Sequence, residues 1–181
     1  LDQESHPDDI TLSYQEIYDK YVINNKYRND YIANMVKEIQ KKPSKTLIIT
    51  KNLDHAEALH KMIPGSFLLR GANSLDERDA KVQEFVTQES SVIIGTVIFQ
   101  TGINIPEITH LINARGLKSE IATLQAAGRA LRKHKSKKQV YIYDFLDDAP
   151  YLLQHAKQRV RSYKSLGFEV YLIDEKDPRR E

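Results

Sequence analysis

Short apolar runs alternate with longer stretches of helical periodicity from Thr46 onward. Thr46 to Thr50 is a continuous, largely β-branched run between Lys45 and Lys51, the pattern of a strand buried on both faces. Asn52 or Asp54 then offers an N-cap for a helix carrying Ala56, Leu59 and Met62, and Pro64-Gly65 stops it. Ser66 to Leu69 predicts a second strand. Ser74 and Glu77 stand at capping-box spacing ahead of Val82, Phe85 and Val86, which predicts a helix with one apolar face. Ser91 to Gly95 and Ile108 to Ile112 predict the third and fourth strands, and Gln139 to Phe145 a fifth. Ser119 opens a helix through Leu131. Ala149 to Leu166 predicts a long helix with Leu152, Ala156, Val160 and Tyr163 in register, and Phe168 to Ile173 an edge strand.

This alternation specifies the α/β class: a parallel sheet with helices on both faces. Ligands in such sheets gather at the carboxyl ends of the strands, so the loops after Thr50, Leu69, Gly95 and Ile112 are the places for chemistry. Residues 1–45 follow another pattern. Tyr14 to Val22 and Tyr27 to Gln40 read as helices, the second with Tyr27, Tyr31, Met35 and Ile39 on one side. Residues 1–45 are therefore expected to form a helical lead-in packed on a domain of residues 46–181, connecting it to a further domain upstream. The chain opens on Leu1 rather than Met, and is expected to be a piece of something longer.

Charge adds little, because 27 basic against 25 acidic residues leave a net +2. Any nucleic-acid partner must be argued from where the charges sit. The chain has no cysteine, which excludes disulfides and thiolate metal sites and fits an intracellular location. The apolar run Val92 to Phe99 is far too short to span a bilayer, and no membrane partner is expected. The seven glycines are never closer than six positions, Gly65 to Gly71. A dinucleotide fingerprint needs glycines two apart, and a phosphate loop needs them five apart before Lys and Ser or Thr. Neither spacing occurs, so the chain is not expected to hydrolyse ATP alone. Asp76 to Asp79 opens a helix and reads as solvated first-turn acids rather than a magnesium site. His55 and His60 are five apart, off one helical face, and are expected at the surface. The ten tyrosines sit mostly at helical core spacing, so no base-stacking platform is expected. Lys133 to Lys138 reads as a solvated basic loop that would extend a DNA track if it does more.

Two segments carry more specific information. Gly95-Thr-Val-Ile-Phe-Gln-Thr-Gly-Ile-Asn-Ile-Pro106 directly follows a strand, and Gln125-Ala-Ala-Gly-Arg-Ala-Leu-Arg132 lies late in a predicted helix. In this order they resemble motifs V and VI of superfamily 2 helicases, in their second RecA-like domain. Thr46 to Thr50 resembles motif IV. Leu69-Arg-Gly71 with Glu77, Arg78 and Phe85 resembles motif IVa. The tail, with Asp144, Asp147, Asp148, Arg159 and Tyr163, is similar to the UvsW-like phage helicases of DNA repair and recombination.

The resemblance implies a RecA-like fold and one half of an ATP-driven motor. ATP with Mg2+ would be held mainly by an upstream RecA-like domain of the same parent chain. Arg129 and Arg132 would reach the γ-phosphate, with Arg132 as the arginine finger. Gly102, Asn104 and Gln125 would approach the nucleotide. Thr50, Lys51, Arg70, Gly71, Arg78 and Thr96 would contact nucleic-acid phosphates, a sequence-independent and salt-sensitive contact. Asn104 stands where many relatives carry Asp, and its amide can still bond a ribose hydroxyl. Ala126 replaces an arginine common in the DEAD-box branch, which favours DNA over RNA. The competing reading is a non-catalytic nucleic-acid-binding or docking module that kept the fold.

Overall fold

The computed structural model describes residue 9 and residues 11–96, 105–118 and 139–173. Five parallel strands form one sheet: β1 (Lys45–Ile49), β2 (Phe67–Leu69), β3 (Ser91–Gly95), β4 (His110–Asn113) and β5 (Tyr141–Tyr143), in the order β2-β3-β1-β4-β5. The central strand β1 pairs Leu47 with Ile93 on one side and with Leu111 on the other. The helices are α1 (Tyr14–Tyr18), running into a π-helical turn (Asp19–Ile23), then α2 (Lys26–Ile39), α3 (Leu53–Met62), α4 (Leu75–Thr87) and α5 (Leu152–Ser165).

Alternate residues of each strand feed opposite faces of the sheet. Ile48, Ile94, Ile112 and Leu68 pack against Ile32, Ala33 and Val36 of α2 and Ala56 and Leu59 of α3. Leu47, Ile49, Ile93 and Leu111 pack against Phe85 of α4 and Tyr163 of α5. A third cluster joins Ile17, Tyr18, Tyr21 and Val22 to Ala149 and Leu152 at the start of α5. The lead-in therefore shares its core with the sheet.

The caps follow the sequence signals. Asn52 accepts from the His55 amide, and Ser74 and Glu77 close a capping box at α4. Asp76 and Glu77 lie in the first turn of α4 and are exposed. Three expectations are corrected. The buried side of α2 is Arg28, Asn29, Ile32, Ala33 and Val36, while Tyr27 is 52% exposed. Tyr31, Met35 and Ile39 of the expected stripe still pack, partly buried, against the same core, and Arg28 and Asn29 are buried beside them through bonds to Asp147 and His55. Residues 168–173 form no strand. The amides of Gly167 and Phe168 instead donate to the carbonyls of Lys164 and Tyr163, with Gly167 at φ +81, a conformation that residues with a side chain rarely adopt. This is a Schellman cap, and the Phe168 ring packs on Tyr163 as its hydrophobic contact. The apolar character of Phe168 thus belongs to a helix stop.

His55 is the third correction: it is fully buried, not at the surface. Its Nε2 lies 2.9 Å from Asn29 Oδ1. Burial, and then the nearby Arg28 charge, push its pKa down to about 3. The folded state therefore holds a neutral imidazole, whereas the unfolded chain protonates it below about pH 6.5. Its contribution to stability is complete above that pH and is lost as pH falls toward 3. At pH 5 the loss should be about 2 kcal/mol relative to pH 7. Urea unfolding of wild type and His55→Gln at both pH values checks this; an equal acid loss in the variant would refute it.

Candidate nucleic-acid and nucleotide face

The carboxyl ends of the strands collect the candidate residues. In sheet order, β2 is followed by Arg70, β3 by Thr96, β1 by Thr50 and Lys51, β4 by Ala114, and β5 by Asp144. Adjacent strands lie about 5 Å apart, so Arg70, Thr96 and Lys51 top three neighbouring strands. Arg78 Nη2 donates to the Gly71 carbonyl at 2.6 Å, which brings Arg70, Gly71 and Arg78 into one corner. The Arg70 guanidinium pairs with Glu57 at 2.9 Å, and its amide donates to Asn73 Oδ1. Thr96 is half-buried. Thr50 is fully buried, and its hydroxyl donates to the Asn52 carbonyl at 3.0 Å. Lys51 Nζ lies 4.3 Å from the centre of the Tyr18 ring. Gly102, Asn104, Gln125, Arg129 and Arg132 lie outside the described residues.

The connections of β1 and β4 run toward opposite edges of the sheet, which makes the space between their ends the switch point where ligands bind in such folds. The backbone leaving β4 there is held by side chains from three helices. Arg28 Nη1 of α2 donates to the Ala114 carbonyl at 3.2 Å. The Tyr18 hydroxyl of α1 donates to the Arg115 carbonyl at 2.5 Å. Arg159 Nη1 of α5 donates to the Leu117 carbonyl at 2.8 Å. Gly116, between them, has φ +65, a conformation that disfavours a β-carbon.

Two buried arginines anchor this frame. Arg159 grips Asp144 with Nε to Oδ2 at 2.8 Å and Nη2 to Oδ1 at 2.9 Å. Tyr163 donates to the same carboxylate at 2.6 Å and Asn113 at 3.2 Å. Burial and then the Asp144 charge push the Tyr163 phenol well above its ordinary value, so it remains a donor. Arg28 Nε donates to Asp147 Oδ1 at 2.9 Å, and its guanidinium lies 4.6 Å from the centre of the Phe145 ring. Sequence reasoning named Asp144, Asp147, Arg159 and Tyr163, but missed Arg28, Tyr18 and Asn113. The readable signal was an arginine one position off the apolar stripe of α2. Among the described residues, no group of three His, Asp or Glu could hold a metal ion, and no helix is long and apolar enough to cross a membrane.

Residues 28–134 match the family described as the helicase conserved C-terminal domain. The chain is 26% identical over 193 residues to the ATP-dependent DNA helicase UvsW of Enterobacteria phage T4, covering 92% of this chain and 38% of the phage protein. It thus spans well under half the length of that relative. The crystal structure of T4 UvsW matches with a TM-score of 0.73 at 24% identity, over 87% of this chain and 36% of that one. The C-terminal domain of the DEAD-box protein Dbp5 matches with a TM-score of 0.63 at 19% identity, over 81% of this chain and 83% of that one. These structures share the parallel RecA-like architecture, and the family match carries the assignment. The chain belongs to the C-terminal domain family of superfamily 2 helicases.

Proposed function

We propose that this chain is the second motor domain of an ATP-dependent DNA helicase or translocase acting inside the cell. The family match over residues 28–134 carries the reading, because it spans both motif segments and the strand ends that present Lys51, Arg70 and Thr96. An upstream RecA-like domain of the same parent chain, joined through residues 1–45, holds ATP and Mg2+. Arg129 and Arg132 neutralise the transferring phosphoryl group, where catalysis is chiefly positioning and charge stabilisation. Gly102, Asn104 and Gln125 line the nucleotide. Thr50, Lys51, Arg70, Gly71, Arg78 and Thr96 form the strand-end track for nucleic-acid phosphates. ATP binding closes the cleft between the two domains and hydrolysis reopens it, which walks the pair along a strand. The preference for DNA rests on the UvsW similarity and on Ala126; a role in repair or recombination rests on that similarity alone.

The test is ATP turnover by the parent protein and by this chain alone, each with and without single-stranded DNA. The parent should turn over ATP faster with DNA, and the chain alone should not turn it over. Lys51→Ala and Arg70→Ala should each reduce the salt slope of DNA binding by about 1. DNA binding by the parent without turnover would make this a docking module instead.

A further inference from the structure

An aromatic cluster sits beside the end of β1, outside the motif residues. The Tyr14 ring of α1 meets Tyr151 edge-on at 6.0 Å and an interplanar angle of 85°. It also lies 5.6 Å from the His155 ring and 6.0 Å from Tyr18. Lys51 Nζ reaches into this group, 4.3 Å from the Tyr18 centroid and 5.9 Å from that of Tyr14. Lys118, exposed, lies close enough to His155 to help depress its protonation after burial and Arg159. Lys51 thus places a cation directly against the rings.

Tyr151 is the unusual member. It is 50% exposed and is the one non-glycine residue with positive φ among the described residues, at φ 64 and ψ −42. The Leu152 amide donates to the Pro150 carbonyl at 2.7 Å, which makes Tyr151 the centre of a γ-turn of the rare positive-φ form. Such backbone strain persists only where the surroundings enforce it, and it clusters at functional sites. Here Leu152, buried at 1%, pins one side of the turn. The Tyr151 carbonyl accepts from the His155 amide at 3.0 Å on the other. The result is a large ring left half in water at the mouth of α5. Tyr27 is as exposed, at 52%, but Tyr151 alone among the described tyrosines combines exposure with a positive φ.

We propose that Tyr151, backed by Tyr14, is a stacking platform for an unpaired nucleobase of the strand whose phosphate Lys51 holds. This rests on the strand-end reading of Lys51 given above. The chemistry is complementary in both parts of a nucleotide: the Lys51 cation meets the backbone, and the ring face meets the base. Stacking of this kind is tolerant of sequence, because every base presents a π-face. It gives a motor a grip on single-stranded nucleic acid that a duplex, with its bases paired and stacked, does not offer. Sequence spacing concealed the platform, because Tyr14 opens α1 and Tyr151 precedes α5, and the two meet only in the fold.

The experiment compares binding of a single-stranded oligothymidylate and an abasic oligonucleotide of equal length by the parent protein at fixed salt. Variants are Tyr151→Ala, Tyr151→Phe, Tyr151→Gly and Lys51→Ala. Tyr151→Ala should weaken oligothymidylate binding roughly fivefold to 150-fold and leave abasic binding unchanged. Tyr151→Phe should keep wild-type binding. Tyr151→Gly, whose backbone suits the positive φ, should keep the fold and show the same selective loss. Lys51→Ala should weaken both oligonucleotides alike. Equal loss on both oligonucleotides in the Tyr151 variants, or no loss on either, would overturn the platform. An effect of Lys51→Ala on neither oligonucleotide would overturn the strand-end reading and the platform with it, even if the Tyr151 variants lost affinity.

Discussion

Arg132→Ala in the parent protein should lower DNA-stimulated ATP turnover by about 10³ or more while leaving folding and DNA binding in place. The reason lies in what phosphoryl transfer requires. The transition state spreads negative charge over the transferring group, and little covalent work remains for protein groups. A guanidinium delivered from a second domain neutralises that charge only when the two domains close. Its removal should cost about 4 kcal/mol of barrier or more, the equivalent of that thousandfold loss. Arg129 stands three residues earlier on the predicted helix, so the two would project from neighbouring points of one face. Arg129→Ala is expected to act in the same direction, and Lys133→Ala, outside the motif, to leave turnover near wild type. The measurement is steady-state turnover at saturating ATP and DNA, with DNA affinity followed separately. A rate unchanged in Arg132→Ala would sink the finger assignment.

Much of the architecture was legible because buried parallel strands leave unmistakable marks. Leu47, Ile48 and Ile49 in a short, β-branched run between lysines read as a strand covered on both faces, and the capping box at Ser74 fixed the start of α4. What escaped was polar. Arg28 and Asn29 look like solvent positions in sequence, yet both are buried, because Asp147, the Ala114 carbonyl and His55 supply their partners from far along the chain. Arg159 displaced Val160 from the expected buried face of α5 for the same reason. A pattern reader assigns polar residues to water by default; long-range pairing overrides this, and nothing local announces it. The phosphate-contact candidates were legible as a set because each follows a strand. Their different surroundings were not: Arg78 turns back to the Gly71 carbonyl, and Lys51 lies over Tyr18.

Arg159→Met should be the most destabilising single change at the sheet end, by about 3 kcal/mol or more. The side chain is 2% exposed and makes a two-pronged bond to Asp144, whose carboxylate is 16% exposed. Removing the cation leaves that carboxylate with Tyr163, Asn113 and the Phe145 amide as donors. It also strips the Leu117 and Phe145 carbonyls of a donor. The methionine stem replaces much of the packed volume, so the loss measures charge and hydrogen bonding rather than a cavity. Partial solvent access to Asp144 keeps the cost near the lower end of what a broken buried pair shows. For a domain of this size, 3 kcal/mol corresponds to a Tm lower by roughly 6–12 °C. Arg159→Lys should recover little, because an ammonium cannot reproduce the fork that spans both carboxylate oxygens and the Leu117 carbonyl. Urea unfolding of the chain decides the matter: a loss below 1 kcal/mol would mean that the pair merely breaks even in the fold. Leu117 lies two residues before Ser119, where the helix bearing Arg132 is predicted to begin. The same variant in the parent protein, assayed below its Tm, should therefore lower kcat for ATP with little change in DNA affinity. A guanidinium that merely stabilised the sheet would leave kcat intact at that temperature.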